Sequence, residues 1–415
     1  MNKMKFVTHM SCTLCKATYD KDADILTCPA CGEKGILDIH YDYDSLRKVV
    51  TRQYFEDCME RSIWRYIPLM SVNGEAAEKT LKVGWTPLYR GRNLEKALGL
   101  EMLTLKDEGV NPTGSLKDRA SVVATMKAIE EGHKTIACAS TGNAASSLAG
   151  NASKMGLSTV IFVPKRAPRG KLTQLLAYGA DVISVQGDYK EAFKLSRDAI
   201  NHYGWYNRNA AINPHMVEGK KTVAYEIIEQ LDFNPPDWIV VSVGDGCTIG
   251  GVYNGLHDFY ALGLIDRMPK ILGVQSEGCA PFYKAWKTGK PIEETDENTL
   301  ADSIAVGIPR NPVKALRAVD KSKGAWVTVS DDAIIEAIKT LGNKEGLFCE
   351  PAAAAVYAGL EKALEQSIIK KDDHISVILT GNGLKDPDTI GKAIKGPHKQ
   401  DNDLDALIKH IETRK

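Results

Sequence analysis

Residues 111–120, NPTGSLKDRA, set a turn signal, two hydroxyls and a lysine at the start of a helical pattern, with an acid and a base directly after. Pro112, Thr113 and Gly114 form the turn and Ser115 is a candidate N-cap, which puts Lys117 in the first helical turn. A helix N-terminus already carries partial positive charge, so a lysine there is electrostatically misplaced and loses its proton at lower cost. A lysine of depressed pKa is a nucleophile that can make a Schiff base with a carbonyl carbon. The competing reading is an ordinary ion pair between Lys117 and Asp118 or another nearby acid.

Three further segments carry groups of the same kind. In ASTGNAASSLAG, residues 139–150, Ser140, Thr141, Gly142 and Asn143 offer amides and side-chain donors at a helix start, a cradle for a carboxylate. In VVSVGDGCTIGG, residues 240–251, an apolar run enters Gly244, Asp245 and Gly246 and continues through Cys247 and Thr248 into a helical pattern. Glycines there let successive amides converge on a phosphate. No Gly-Lys-Ser or Gly-Lys-Thr follows, so this is not a nucleotide P-loop. In SVILTGNGLKD, residues 376–386, an apolar strand ends on the hydroxyl of Thr380 and a Gly-Asn-Gly turn. Together the segments ask for a ligand with an aldehyde, a phosphate and a polar ring. Pyridoxal 5'-phosphate has all three.

On these residues the sequence resembles the tryptophan synthase β-type (fold type II) pyridoxal-phosphate enzymes, and among them the threonine synthases. NPTGSLKDR is similar to the family's Schiff-base motif, STGN to its asparagine loop, GDGCT to its phosphate loop, and LTGNGLKD to the segment whose threonine faces the pyridine nitrogen. GWTPL and INPHMVEGKKTVAYEI add to the likeness, which covers roughly residues 60–395. The resemblance implies that Lys117 binds the cofactor's aldehyde and shuttles protons. It implies that Asn143 contacts the ring hydroxyl, that Gly244, Asp245, Gly246, Cys247 and Thr248 surround the phosphate, and that Thr380 bonds the ring nitrogen. Ser115, Ser140, Thr141 and Asn143 then lie at the substrate. The implied reaction is elimination and replacement on O-phospho-L-homoserine, giving L-threonine. Cysteate synthase-like β-replacement and an ammonia-lyase or thiolase-type amino-acid enzyme of the same fold are the alternatives. A cofactor-free ligand sensor recruited through the N-terminal segment is the reading outside the class.

Two departures from the family bear on the substrate. Asp245 puts a carboxylate inside the phosphate loop, which requires it to turn outward or be paired. Ala305 stands where threonine synthases carry an arginine, so a phosphorylated substrate needs another cationic clamp, for which Arg166, Arg169, Lys171 and Arg310 are candidates.

The N-terminal residues 1–40 hold two Cys-x-x-Cys pairs, Cys12/Cys15 and Cys28/Cys31, with CPACGEKG supplying the knuckle residues. Two such pairs predict a structural zinc ribbon. Downstream, short apolar runs at 102–105, 135–139, 159–163, 182–185, 238–243, 271–275, 326–329 and 375–380 alternate with helical patterns. That alternation predicts an α/β protein with open, mostly parallel sheets and helices on both faces, its chemistry at the strands' carboxyl ends. The expected division is the ribbon-like segment 1–40, a large cofactor-binding domain of 41–100 and 205–395, a smaller domain of 101–204 carrying Lys117 and STGN, and a tail, 396–415, with a surface helix.

The 53 basic and 53 acidic residues balance, which argues against a nucleic-acid partner. No apolar run reaches the ~20 residues of a membrane span. The first residues lack a signal peptide's apolar region, and nine cysteines suit a reducing compartment, so the expectation is a cytoplasmic enzyme with a small amino-acid substrate. The family resemblance implies a homodimer.

Overall fold

The computed structural model describes residues 4–167 and 169–413, with the side chains of residues 169–171 and 393 outside the description. Three sheets organise the chain. A six-stranded sheet runs Ala325–Val329, Lys270–Ser276, Trp238–Ser242, His374–Leu379, Met102–Asp107, Leu88–Arg90, parallel throughout except for its last pair. A four-stranded parallel sheet runs Asp181–Val185, Ser158–Pro164, Thr135–Ala139, Tyr206–Asn207. A three-stranded antiparallel sheet of Thr18–Asp20, Val7–Cys12 and Leu37–Tyr41 forms the N-terminal segment.

Every strand expected from the apolar runs is present, and each larger sheet is apolar on both faces because helices cover both. Ile239 and Val241 point into one core with the helices His215–Gln230 and Cys247–Ala261. Trp238 and Val240 point into the other, against Asp331–Glu345 and Pro351–Glu365. In the smaller sheet Ile136 and Cys138 alternate with Ala137 and Ala139 in the same way. The terminal helix Leu404–Glu412 buries no residue, in keeping with a surface helix.

Strand pairing moves two edges of the division read from sequence. Met102–Asp107 falls in the expected smaller domain, yet it pairs along its whole length with His374–Leu379 in the six-stranded sheet. Tyr206–Asn207 lies past the expected edge at 204, yet it closes the four-stranded sheet on Thr135–Ala139. Two residues are too short a strand to leave an apolar run. Pairing between segments far apart in the chain also leaves no local trace.

Candidate active site

The carboxyl ends of the parallel strands of the two larger sheets meet around one cavity, lined by Lys117, Asn143, the loop Ser242–Thr248 and Thr380. Lys117 is the first residue of the helix Lys117–Glu130. The Leu116 amide donates to the Thr380 carbonyl (2.9 Å) and the Asn382 amide to the Gly114 carbonyl (3.0 Å), which joins the lysine segment to the end of the last strand.

Asp118 and Arg119 lock the helix start from either side. The Asp118 carboxylate accepts from the Thr113 amide (2.8 Å), the Thr113 hydroxyl (2.7 Å) and Asn151 Nδ2 (2.8 Å). Burial raises its pKa to about 6 against these donors. Arg119 is fully buried and forks between Glu108 (2.6 and 2.7 Å) and Glu226 (2.6 and 2.7 Å). Neither residue pairs with Lys117, so the expected alternative of a Lys117–Asp118 ion pair is corrected. The N-cap assignment is corrected too. Leu116 occupies that position with no side-chain cap, and the Ser115 hydroxyl is buried without a partner. The backbone of Ser115 instead forms an antiparallel bridge to Gly381.

Lys117 itself makes no ion pair among the described residues. Burial lowers its pKa, Glu350 opposes that shift, and Arg208 adds to it. The helix Cys247–Ala261 begins at the cavity with no side-chain cap, leaving its first amides for a ligand. Gly246, at φ +87°, makes the turn into it. A Cβ there would lie 2.8 Å from both Ala315 Cβ and the Asn311 carbonyl oxygen. The Asp245 carboxylate accepts from the Arg310 amide (3.3 Å) and its carbonyl from the Asn311 amide (3.0 Å), and among the described residues no cation forms an ion pair with it. Cys247 is buried against Ile36 and Ala211, the environment of a small apolar residue.

Asn143 opens the helix Asn143–Met155. Its Nδ2 donates to both oxygens of Glu350 (2.9 and 2.8 Å) and lies 3.4 Å from Ser303 Oγ. Thr141, Gly142 and Asn143 border an outer groove that shares Asn143, Ser303 and Glu350 with the cavity. Ser140 stays behind them, its hydroxyl accepting from the Gly142 amide (3.3 Å).

The cations expected to clamp a second phosphate lie elsewhere. Arg166 is exposed on a turn and Arg310 stacks on Phe193, 3.5 Å from the ring centroid. Neither lines the cavity. The side chains of Arg169 and Lys171 lie outside the described residues.

Sequence reasoning missed Arg208, Lys220 and Glu350, all of which line the cavity. Arg208 is 3% exposed and donates only to Ser121 Oγ (3.3 and 3.1 Å). Lys220 is 6% exposed, and its pKa is pushed down to about 8 by burial, with Lys117 and Arg208 adding to the effect. Among the described residues neither forms an ion pair, whereas the adjacent Lys221 pairs with Glu218 (2.6 Å) and Asp258 (2.9 Å). An acid directly before the apolar run PAAAAV was the one signal for Glu350. Nothing local distinguishes Lys220 from Lys221.

In the N-terminal sheet the sulfurs of Cys12, Cys15, Cys28 and Cys31 all lie within 4.8 Å of one another. Four thiolates around zinc stand about 3.8 Å apart, from the ~2.3 Å Zn–S bond and tetrahedral angle. The cluster could hold such an ion. Gly35 is required beside it, since a Cβ would fall 2.5 Å from Cys28 Cβ and 2.7 Å from Cys31 Cβ. No helix among the described residues is long and apolar enough to cross a membrane.

The family model described as "Pyridoxal-phosphate dependent enzyme" matches residues 79–381. The chain is 40% identical over 406 residues to threonine synthase from Methanosarcina acetivorans, covering 97% of this chain and 98% of that one. It is 41% identical over 399 residues to threonine synthase from Methanocaldococcus jannaschii, covering 95% and 97%. Its fold is shared with processed threonine deaminase isoform 2 from Solanum lycopersicum, at TM-score 0.65 and 24% identity over 74% of this chain and 86% of that chain. It is also shared with diaminopropionate ammonia lyase from Escherichia coli, at TM-score 0.66 and 20% identity over 76% and 89%. The chain therefore belongs to the pyridoxal-phosphate-dependent enzymes of fold type II and, within them, to the threonine synthase family.

Proposed function

We propose that the enzyme converts O-phospho-L-homoserine and water to L-threonine and phosphate. The observation that carries this reading is a surplus of buried positive charge. Arg208 and Lys220 face the cavity without carboxylate partners among the described residues, beside a helix N-terminus that by itself suffices for one phosphate. Unpaired buried cations are costly, so their retention fits a ligand that brings a second polyanionic group. A phosphorylated amino acid is such a ligand.

The residues fit pyridoxal phosphate as cofactor. Lys117 supplies the amine for its aldehyde, the amides of Gly244, Gly246, Cys247 and Thr248 receive its phosphate, Asn143 meets its ring hydroxyl and Thr380 its ring nitrogen. When bound, pyridoxal phosphate supplies an electron sink for the bonds at the substrate's α-carbon. The Thr380 hydroxyl does not force the ring nitrogen to stay protonated, as a carboxylate would, and this suits elimination and replacement. Thr141 and Asn143, which border the groove, present donors for the substrate carboxylate. Lys117 moves protons at the α-carbon and its neighbours, aided by the burial that lowers its pKa. In the net change, the Cγ–O bond breaks and phosphate leaves, the hydroxyl of water bonds to Cβ, and the two protons released, one from Cβ and one from water, go one to Cγ and one to the departing phosphate. The four-cysteine cluster is proposed to hold zinc as a structural ion.

Purified holoenzyme given O-phospho-L-homoserine should release phosphate and threonine in equal amounts. The same assay with O-phosphoserine, threonine, serine and diaminopropionate separates the alternatives. Absence of phosphate release from O-phospho-L-homoserine defeats the proposal.

A further inference from the structure

Glu350 has no part in the mechanism so far, yet it is a buried acid at the meeting point of three cofactor segments. It holds the N-cap position of the helix Pro351–Glu365, where a carboxylate ordinarily accepts from its own helix's amides. It makes no such cap. Its side chain turns into the cavity instead, where both oxygens accept from Asn143 Nδ2 (2.9 and 2.8 Å). The turn after Thr380 is shaped for this. Gly381 leaves room for the carboxylate, and a Cβ there would lie 2.5 Å from Glu350 Oε1. The Glu350 amide donates to the Gly381 carbonyl (3.1 Å), which holds the two segments together.

The charges around the lysine show what this acid balances. Arg208 and Lys220 face Lys117 with like charge, and the Cys247 thiol lies beside them. Asp245 is the other acid nearby, and its carboxylate already accepts from the Arg310 amide. Burial raises the pKa of Glu350 itself; the Asn143 hydrogen bonds, Lys117 and Lys385 oppose that rise and favour the carboxylate, and Asp386 adds to it. Lys385 is held off by its own partners, Ser146 Oγ (2.8 Å), Gln174 Oε1 (2.6 Å) and the Thr113 carbonyl (3.1 Å). Glu350 and Asp245 are thus the two acids set against the cationic cavity at Lys117, and Glu350 opposes the lowering of the lysine's pKa the more strongly.

We infer that Glu350 is a positioning residue of this site: its carboxylate orients the Asn143 amide toward the cofactor ring and acts as the counter-charge for the nitrogen of Lys117. The inference rests on the reading that Lys117 carries the cofactor. Glu350 and Lys117 line the same cavity, and an opposite charge facing a cationic nitrogen raises its pKa, so removing that charge lowers it. The test is a pH titration of the bound cofactor's absorbance in wild-type holoenzyme, Glu350→Gln and Glu350→Asp. Glu350→Gln keeps the size and an acceptor for Asn143 but loses the charge, and its midpoint should fall by about one unit or more. Glu350→Asp keeps the charge, and its midpoint should lie nearer to wild type. A midpoint for Glu350→Gln within about 0.3 unit of wild type, with cofactor bound in full, overturns the inference. Should Glu350→Gln fail to fold, Glu350→Ala, which also removes the charge, takes its place: a midpoint lowered by about one unit or more supports the counter-charge, and one within about 0.3 unit of wild type overturns it. Borohydride reduction of the wild type keeps the two readings apart. A label absent from Lys117 overturns the underlying assignment together with this one, whereas a label on Lys117 with an unmoved midpoint overturns the role of Glu350 alone.

Discussion

Replacing Arg208 and Lys220 by methionine, singly, gives effects of opposite sign on substrate binding and on the stability of the free protein. Among the described residues Arg208, 3% exposed, has only the Ser121 hydroxyl as hydrogen-bond partner, and Lys220, 6% exposed, has no ion pair. Each charge-assisted hydrogen bond to a phosphate oxygen contributes about 1.5–3 kcal/mol, so losing one should raise KM for O-phospho-L-homoserine roughly 10- to 100-fold. Methionine has similar length, removes an uncompensated buried charge and leaves no acid stranded, so the substrate-free protein should melt at the same or a higher temperature. The titration of Lys220 adds a pH dependence. With its pKa near 8 the lysine is charged below that value and loses its proton above it, so kcat/KM for the phosphorylated substrate should decline above about pH 8 in the wild type. Lys220→Met should lack that decline. The assays are steady-state phosphate release across pH, cofactor affinity by absorbance, and thermal unfolding. An unchanged KM refutes the reasoning. So does a loss of cofactor affinity in place of substrate affinity, since the cations would then serve the cofactor's phosphate.

Arg119→Met leaves Glu108 without its cation and Glu226 with Lys106 alone, and should cost about 3–5 kcal/mol in a denaturant melt. Burial would raise the Glu226 pKa, but Arg119 and Lys106 outweigh it and hold the carboxyl below its ordinary 4.5. Its contribution to wild-type stability is therefore present above pH 4.5 and is lost as the pH falls further, and acid unfolding should be shallower in Arg119→Met. Gly246→Ala strains a left-handed turn and drives a methyl into Ala315 and the Asn311 carbonyl, so cofactor affinity should fall more than about tenfold in an absorbance titration. Purified protein should contain one zinc per chain by atomic absorption, and Cys28→Ser should lose it. Metal-free wild type at full stability would count against a structural ion.

Lys117, Asn143, Gly246 and Thr380 could be read from the chain because each depends on its neighbours in sequence. An apolar strand ends, a turn follows and a helix begins, and that pattern exposes amides and hydroxyls wherever it occurs. The apolar runs revealed the strands and the cysteine spacing revealed the cluster for the same reason. Which cations face the cavity was decided by tertiary structure. Arg166 and Arg310 were legible as cations, but a surface turn and the Phe193 ring hold them elsewhere. Arg208 enters from the end of a two-residue strand whose partner lies some seventy residues away. Lys220 and Lys221 are adjacent and alike in type, and the helical rotation between them turns one toward Glu218 and Asp258 and the other toward the cavity. Glu350 acquires its place only when Gly381 comes alongside without a side chain. Local sequence determines what a residue can do, but burial and partnership depend on segments distant in the chain, so the charge balance of the site exists only once the sheets are assembled.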